Sequence, residues 1–234
     1  MRIFGLQKTT LLDYPNKLAS IIFTGGCNMK CPYCQNAELI SPSSQGFPTE
    51  IPQEEIFSHL KKRQHTLEGL VISGGECTLQ KDLEEFCKKV RELNLDIKID
   101  TNGTNPKLLQ NLVEKNLVQY VAMDIKNSKE KYGLTVGMEN FDLTPVEESV
   151  TFLLENSVDY EFRTTVVSPF HTEEDFHSIG GWIQGAKAYY IQPFQESDHV
   201  PSKELSTPSN EELLRYKEIM TTYVQNTNIR GIDL

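Results

Sequence analysis

Three cysteines fall within one short stretch, Cys27-Asn28-Met29-Lys30-Cys31-Pro32-Tyr33-Cys34. The run before them, Ala19-Ser20-Ile21-Ile22-Phe23-Thr24, reads as a buried strand, and Gly25-Gly26 breaks it. The thiols therefore lie on a loop at the C-terminal end of a strand. Thiolates packed this closely repel one another unless a cation holds them, so the loop points to a metal or a cluster. Whatever fold the chain adopts must present this strand end to the chemistry.

A closed zinc site needs four protein ligands, commonly two close pairs. The remaining cysteines, Cys77 and Cys87, each stand alone, and the five histidines show no spacing that completes a tetrahedron. Three thiolates on one loop instead suit three irons of a [4Fe–4S] cluster and leave the fourth iron open to a small ligand.

Cys-x3-Cys-x2-Cys with an aromatic residue before the last cysteine resembles the signature of the radical S-adenosylmethionine (SAM) enzymes. The resemblance implies that Cys27, Cys31 and Cys34 hold the cluster and that SAM chelates the open iron through its amino and carboxylate groups. One electron then cleaves SAM to methionine and a 5′-deoxyadenosyl radical. It further implies that Tyr33 approaches the adenine. A zinc knuckle, or a zinc-stabilised adaptor without enzymatic activity, is the rival reading of the same cysteines.

Further family-like motifs follow in order. Gly74-Gly75-Glu76-Cys77 ends a second short apolar run, 69–73, where the family has Gly-Gly-Glu-Pro. Two glycines let a backbone approach a ligand closely, and the carboxylate suits an ammonium group. Cys77, in place of proline, reads as a small buried residue rather than a reactive thiol. Asp100-Thr101-Asn102-Gly103 resembles a motif of glycyl-radical activating enzymes in which the aspartate lies near SAM; read alone it is an Asn-Gly turn. Asp124-Ile125-Lys126 at the next strand end resembles the same enzymes, with the lysine against SAM. An arginine on the next strand contributes to SAM binding in the family, which implies that role for Arg163, with a buried ion pair as the rival reading. Gln192, at the end of a later strand, is placed to hydrogen-bond SAM or the substrate loop, or is simply a terminal glutamine. The lead-in "TTLLDYPNKLASIIFTGGCNMKCPYCQN" is similar to the activating proteins of anaerobic (class III) ribonucleotide reductases.

With 234 residues the chain is long enough for one large domain with a substantial core. A formal charge of -10 argues against a nucleic-acid partner. No apolar run reaches membrane-spanning length, and the N-terminus lacks a signal-peptide segment. Five cysteines, three of them clustered, favour a reducing cytoplasm over a disulfide scaffold.

Periodicity predicts an edge segment and turn over 3–17, then six strands alternating with helices. A linker is expected over 41–53, a helix opened by Pro52, an amphipathic helix over 79–93 and a long loop over 127–143. Asn105-Pro106 and Thr144-Pro145 open further helices, and Arg163 shares a strand face with Glu161. The tail 195–208 is expected to wrap the body before a last helix opened by the capping box Ser209-x-x-Glu212. Strand–helix alternation predicts a parallel sheet, with every candidate residue at a strand's C-terminal end. The expected fold is a partial (β/α)6 barrel, forming one radical SAM domain over 1–234 with its core at about 17–194. The expected activity, implied by the resemblance, is hydrogen abstraction from a glycine of anaerobic ribonucleoside-triphosphate reductase. A flavodoxin or ferredoxin would supply the electron. The alternative is a radical SAM enzyme that acts on a small molecule or activates another glycyl-radical enzyme.

Overall fold

The computed structural model describes residues 1–40, 49–197 and 200–231. Strand β1 (Ile3–Thr10) pairs antiparallel with β2 (Ala19–Thr24), and β2 pairs in parallel with β3 (Gly69–Gly74). Strands β4 (Asp96–Thr101), β5 (Tyr120–Asp124), β6 (Asp159–Val166), β7 (Tyr189–Pro193) and β8 (Thr227–Ile229) follow in parallel. Order in the sheet is order in the chain, and β1 and β8 do not meet, so the sheet curves without closing.

Parallel neighbours need a crossover, and helices supply it. These are α1 (Gln53–Arg63), α2 (Leu83–Arg91), α3 (Pro106–Glu114), the single turn α4 (Tyr132–Thr135) with α5 (Thr144–Leu154), α6 (Glu173–Trp182) and α7 (Asn210–Thr221). Their starts are legible locally. The Asn105 side chain accepts from the Leu108 N–H with Pro106 beside it, and Ser209 and Glu212 cap each other's backbone reciprocally.

Strands β2 to β7 with their helices form the expected partial (β/α)6 barrel. The edges differ from expectation. The lead-in is an eight-residue strand rather than a short segment, and the C-terminal end adds β8 beyond the six predicted strands. The first lies at the sheet's edge as expected, and β8, with three residues, is too short to show a period. The helix predicted over 79–93 begins late. Glu76 accepts from the Thr78 N–H, which tightens Cys77–Leu79 into a 3-10 turn, and Leu79 is 42 % exposed instead of facing the core. Pro52 stands just before α1 as its N-cap. The start of the predicted linker, 41–48, lies outside the described residues.

The main core lies between the sheet's outer face and the helices, where Ile22, Ile72, Ile97, Ile99 and Met123 meet Phe86, Val90, Leu109 and Leu112. Alternate residues turn to the other face. There Ile21 and Val71 form a separate small cluster with Tyr14 and Ala19, with Phe23 and Tyr120 packed against it. Tyr14, of the Asp13-Tyr14-Pro15 turn, is thus a buried plug at the N-terminal end of the barrel. Beside it the buried carboxylate of Glu161 takes two bonds from Arg230, at 2.5 and 2.7 Å, and one from Tyr120 Oη at 2.8 Å. Arg230 also lies 3.5 Å over the Tyr190 ring.

Candidate functional site

The opposite, C-terminal end of the barrel gathers the predicted residues. All thirteen — Cys27, Cys31, Tyr33, Cys34, Gly74, Gly75, Glu76, Asp100, Asn102, Asp124, Lys126, Arg163 and Gln192 — line one cavity of about 220 Å3. Cys31 is buried and Cys27 and Cys34 are half-buried. Burial pushes all three thiols up from their usual range. Among the described residues no three His, Cys, Asp or Glu side chains converge on a single-ion site. The loop is held from two sides. Lys30 N–H donates to Val136 O at 3.0 Å, and Ser202 N–H donates to Pro32 O at 3.0 Å. The predicted loop over 127–143 is therefore a packed brace around α4, with Tyr132 stacked on Phe141. The tail lies against the cysteine loop, as a wrap would.

Gly74 and Gly75 have a backbone reason for being glycine. Gly74 adopts φ +115°, and a Cβ on Gly75 would sit 2.1 Å from Gly26 O. The glycines let the end of β3 lie against the start of the cysteine loop, where Gly75 N–H bonds Thr24 O and Glu76 N–H bonds Gly26 O, each at 2.8 Å. Glu76 itself is buried. Its Oε1 accepts from Thr78 N, Thr78 Oγ1 and Thr101 Oγ1 at 3.0, 2.5 and 2.7 Å, and its Oε2 from Asn102 N at 2.7 Å. Burial raises its carboxyl, and these donors oppose the rise. The motif thus ties the ends of β3 and β4 together.

Across the cavity runs a string of alternating charge. Lys98 Nζ meets Asp100 Oδ1 at 2.5 Å, and Arg163 Nη1 meets Asp100 Oδ2 at 3.4 Å. Arg163 Nε meets Asp124 Oδ1 at 2.9 Å, and Lys126 Nζ meets Asp124 Oδ2 at 2.9 Å. Burial alone would raise the Asp100 carboxyl, but Arg163 and Lys98 hold it at about 2. Arg163 and Lys126 overcome the same penalty for Asp124, which stays below its ordinary value. Sequence reasoning missed Lys98, which is 2 % exposed. Its signal was there: in Ile97-Lys98-Ile99-Asp100 the two polar residues alternate with the apolar ones, so both take one face. Glu161 does share the strand face of Arg163, but its cation is Arg230, far along the sequence.

Tyr33 supplies an orphan. Its hydroxyl is buried and has no hydrogen-bond partner. A polar atom left so costs free energy unless a ligand or water meets it. Cys77, by contrast, is fully buried beneath the site, its thiol donating to Asp100 O at 3.3 Å and pushed well up by burial. It packs, as expected; so does Cys87, pushed up to about 12.

Residues 21–183 match the family model of the radical SAM superfamily. The chain belongs to this superfamily. A protein of Methanocaldococcus jannaschii, provisionally named a glycyl-radical enzyme activating enzyme, is 34 % identical over 238 residues, covering 99 % of this chain and 96 % of that one. Among solved structures, Streptococcus suis SuiB bound to S-adenosylmethionine has a TM-score of 0.68 at 15 % identity, covering 90 % of this chain and 52 % of its own. A domain of pyruvate-formate lyase-activating enzyme from Bacteroides vulgatus has a TM-score of 0.58 at 17 % identity, covering 70 % of this chain and 99 % of its own. These two share the fold; this chain spans about half of SuiB.

The cofactors of this radical SAM enzyme are a [4Fe–4S] cluster and SAM. The residues present fit them. Three thiols on one loop that line the same cavity suit a centre of several irons, and the unpartnered Tyr33 hydroxyl and the charge string suit a polar, zwitterionic ligand. Among the described residues no helix is long and apolar enough to cross a membrane.

Proposed function

We propose that the chain is the activase of a glycyl-radical enzyme, and that its target is anaerobic ribonucleoside-triphosphate reductase. The carrying observation is the near full-length similarity to the M. jannaschii protein, joined to the lead-in motif of residues 9–36. Cys27, Cys31 and Cys34 would hold the cluster. Asp124, Lys126 and Arg163 would meet the carboxylate and ammonium ends of SAM, Tyr33 and Gln192 its adenosyl part, and Gly74, Gly75, Glu76, Asp100 and Asn102 would shape the wall behind it. When bound, the reduced cluster and SAM supply a carbon-centred radical able to remove a hydrogen atom from a backbone glycine. This chain's residues exclude water and hold that glycine in reach. The gap between β1 and β8 suits the entry of a polypeptide segment. A flavodoxin or ferredoxin is the proposed electron donor, and the cytoplasm, where clustered thiols stay reduced, the proposed compartment.

The test is anaerobic reconstitution with iron and sulfide, then dithionite and SAM, with and without the reductase. Deoxyadenosine together with a glycyl doublet in the EPR spectrum of the reductase is the expected result. Deoxyadenosine without the doublet would keep the radical chemistry and overturn the target. Bound zinc and no deoxyadenosine would overturn both.

A further inference from the structure

Asn102, at the C-terminal end of β4, is 5 % exposed and its side chain makes four contacts. Oδ1 accepts from Thr104 N at 3.1 Å and from Thr104 Oγ1 at 2.7 Å. A backbone N–H can only donate, so the end facing Thr104 is the oxygen and the other end the NH2 group. That group donates to Asn28 Oδ1 at 2.9 Å and reaches Cys27 Sγ at 4.0 Å, a long contact of the kind sulfur accepts. Asn28 closes the ring by donating to Thr104 Oγ1 at 2.8 Å. The first cysteine of the loop is thereby latched to the turn after β4. It also receives the Met29 N–H at 3.4 Å. The Asn102 main chain is fixed independently, through Glu76 Oε2.

We infer that Asn102 is a positioning residue for the cluster whose amide N–H, directed at Cys27, raises the cluster's reduction potential. This rests on the reading of Cys27 as a cluster ligand. The reduced cluster carries one more electron than the oxidised one, and part of that charge resides on the ligand sulfurs. An N–H dipole pointing at a sulfur stabilises the more negative state. The electron comes from an external one-electron donor, and no bond forms or breaks at Asn102. The amide therefore sets how easily such a donor can load the enzyme.

The experiment is a potentiometric titration of the reconstituted protein, with dithionite as reductant and the EPR signal of the reduced cluster as readout. Asn102→Ala is expected to be about tenfold harder to reduce, which for a one-electron couple is a midpoint about 59 mV more negative. Asn102→Asp retains both anchoring bonds from Thr104 but has no N–H to offer Cys27. It is expected to shift further in the same direction, because its carboxylate also adds negative charge beside the sulfur. If the alanine variant takes up no cluster, the neutral Asn102→Leu, of similar bulk, takes its place. Thr104→Val disturbs the same turn but leaves the amide on Cys27, and is expected to keep the wild-type midpoint. A wild-type midpoint in Asn102→Asp, or an equal shift in Thr104→Val, would overturn the inference. A wild-type protein with no cluster signal would instead overturn the reading on which it rests.

Discussion

Two carboxylates, Glu76 buried and Asp100 half-buried, illustrate how single residues hold this site together by different means. Asp100 is held below its ordinary value by fixed cations, whereas burial raises Glu76 and fixed hydrogen-bond donors oppose the rise. Asp100 sits at about 2 in the folded chain against an ordinary 3.8. A depressed folded value stabilises above the unfolded pKa, and that contribution, on the order of 2 kcal/mol, is lost as pH falls from about 4 towards 2. Thermal melts of the cofactor-free protein should therefore fall more steeply between pH 4 and 2 in the wild type than in Asp100→Asn. The variant starts lower near neutral pH, because Lys98 is left buried beside a neutral partner, and the two curves converge towards pH 2 as Asp100 is protonated. Glu76→Gln makes a different prediction. One carboxylate oxygen becomes a donor facing other donors, which costs about 1–3 kcal/mol. Urea denaturation of the cofactor-free variant checks this, since the four bonds are internal to the chain.

At the scale of elements, the site consists of strand ends held in register by short turns. The Gly74-Gly75 turn is where β3 meets the start of the cysteine loop. Gly75→Ala must open that contact, since a Cβ would collide with main-chain oxygen rather than a movable side chain. The expected result is a loss of about 1–3 kcal/mol in stability and a lower iron content per chain after reconstitution. Wild-type iron content would show that the loop tolerates the displacement. This is also where sequence and structure part company. Strands β2 to β7 and the residues at their ends were legible, because buried strands read as apolar runs and a glycine or polar cluster marks each stop. The sequence pattern marks the glycines as room for a ligand, whereas Gly75 makes room for Gly26. A sequence marks a position where a side chain cannot fit, but not which neighbour forbids it. The start of the helix expected over 79–93 differs for a related reason: the spacing of Leu79 is helical, and only the Glu76 contact to Thr78 N reveals the tighter turn.

For the molecule as a whole, the barrel has a chemical end and a closed end. Tyr14, Glu161, Tyr190 and Arg230 seal the closed end, joining the first hairpin to residues beyond β8. No local pattern announces this, because Glu161 and Arg230 lie 69 residues apart. Arg230→Ala leaves Glu161 as an uncompensated buried charge and should cost about 3–5 kcal/mol in chemical denaturation. Arg230→Lys, which restores a charge but not the fork, should recover part of that.

The division of the apolar interior has a consequence for life in the presence of air. The main core packs between the sheet and its helices, and the plug fills the far end; the cysteine loop adds Met29, Cys31 and Tyr33 to that core, but most of the apolar interior lies outside it. Protein stripped of iron by a chelator should still melt cooperatively by calorimetry, within a few degrees of the loaded form. Oxygen that destroys the cluster would then silence the enzyme without unfolding it. What remains is a stable, empty scaffold that can be refilled when anoxia returns, instead of a chain that has to be made again.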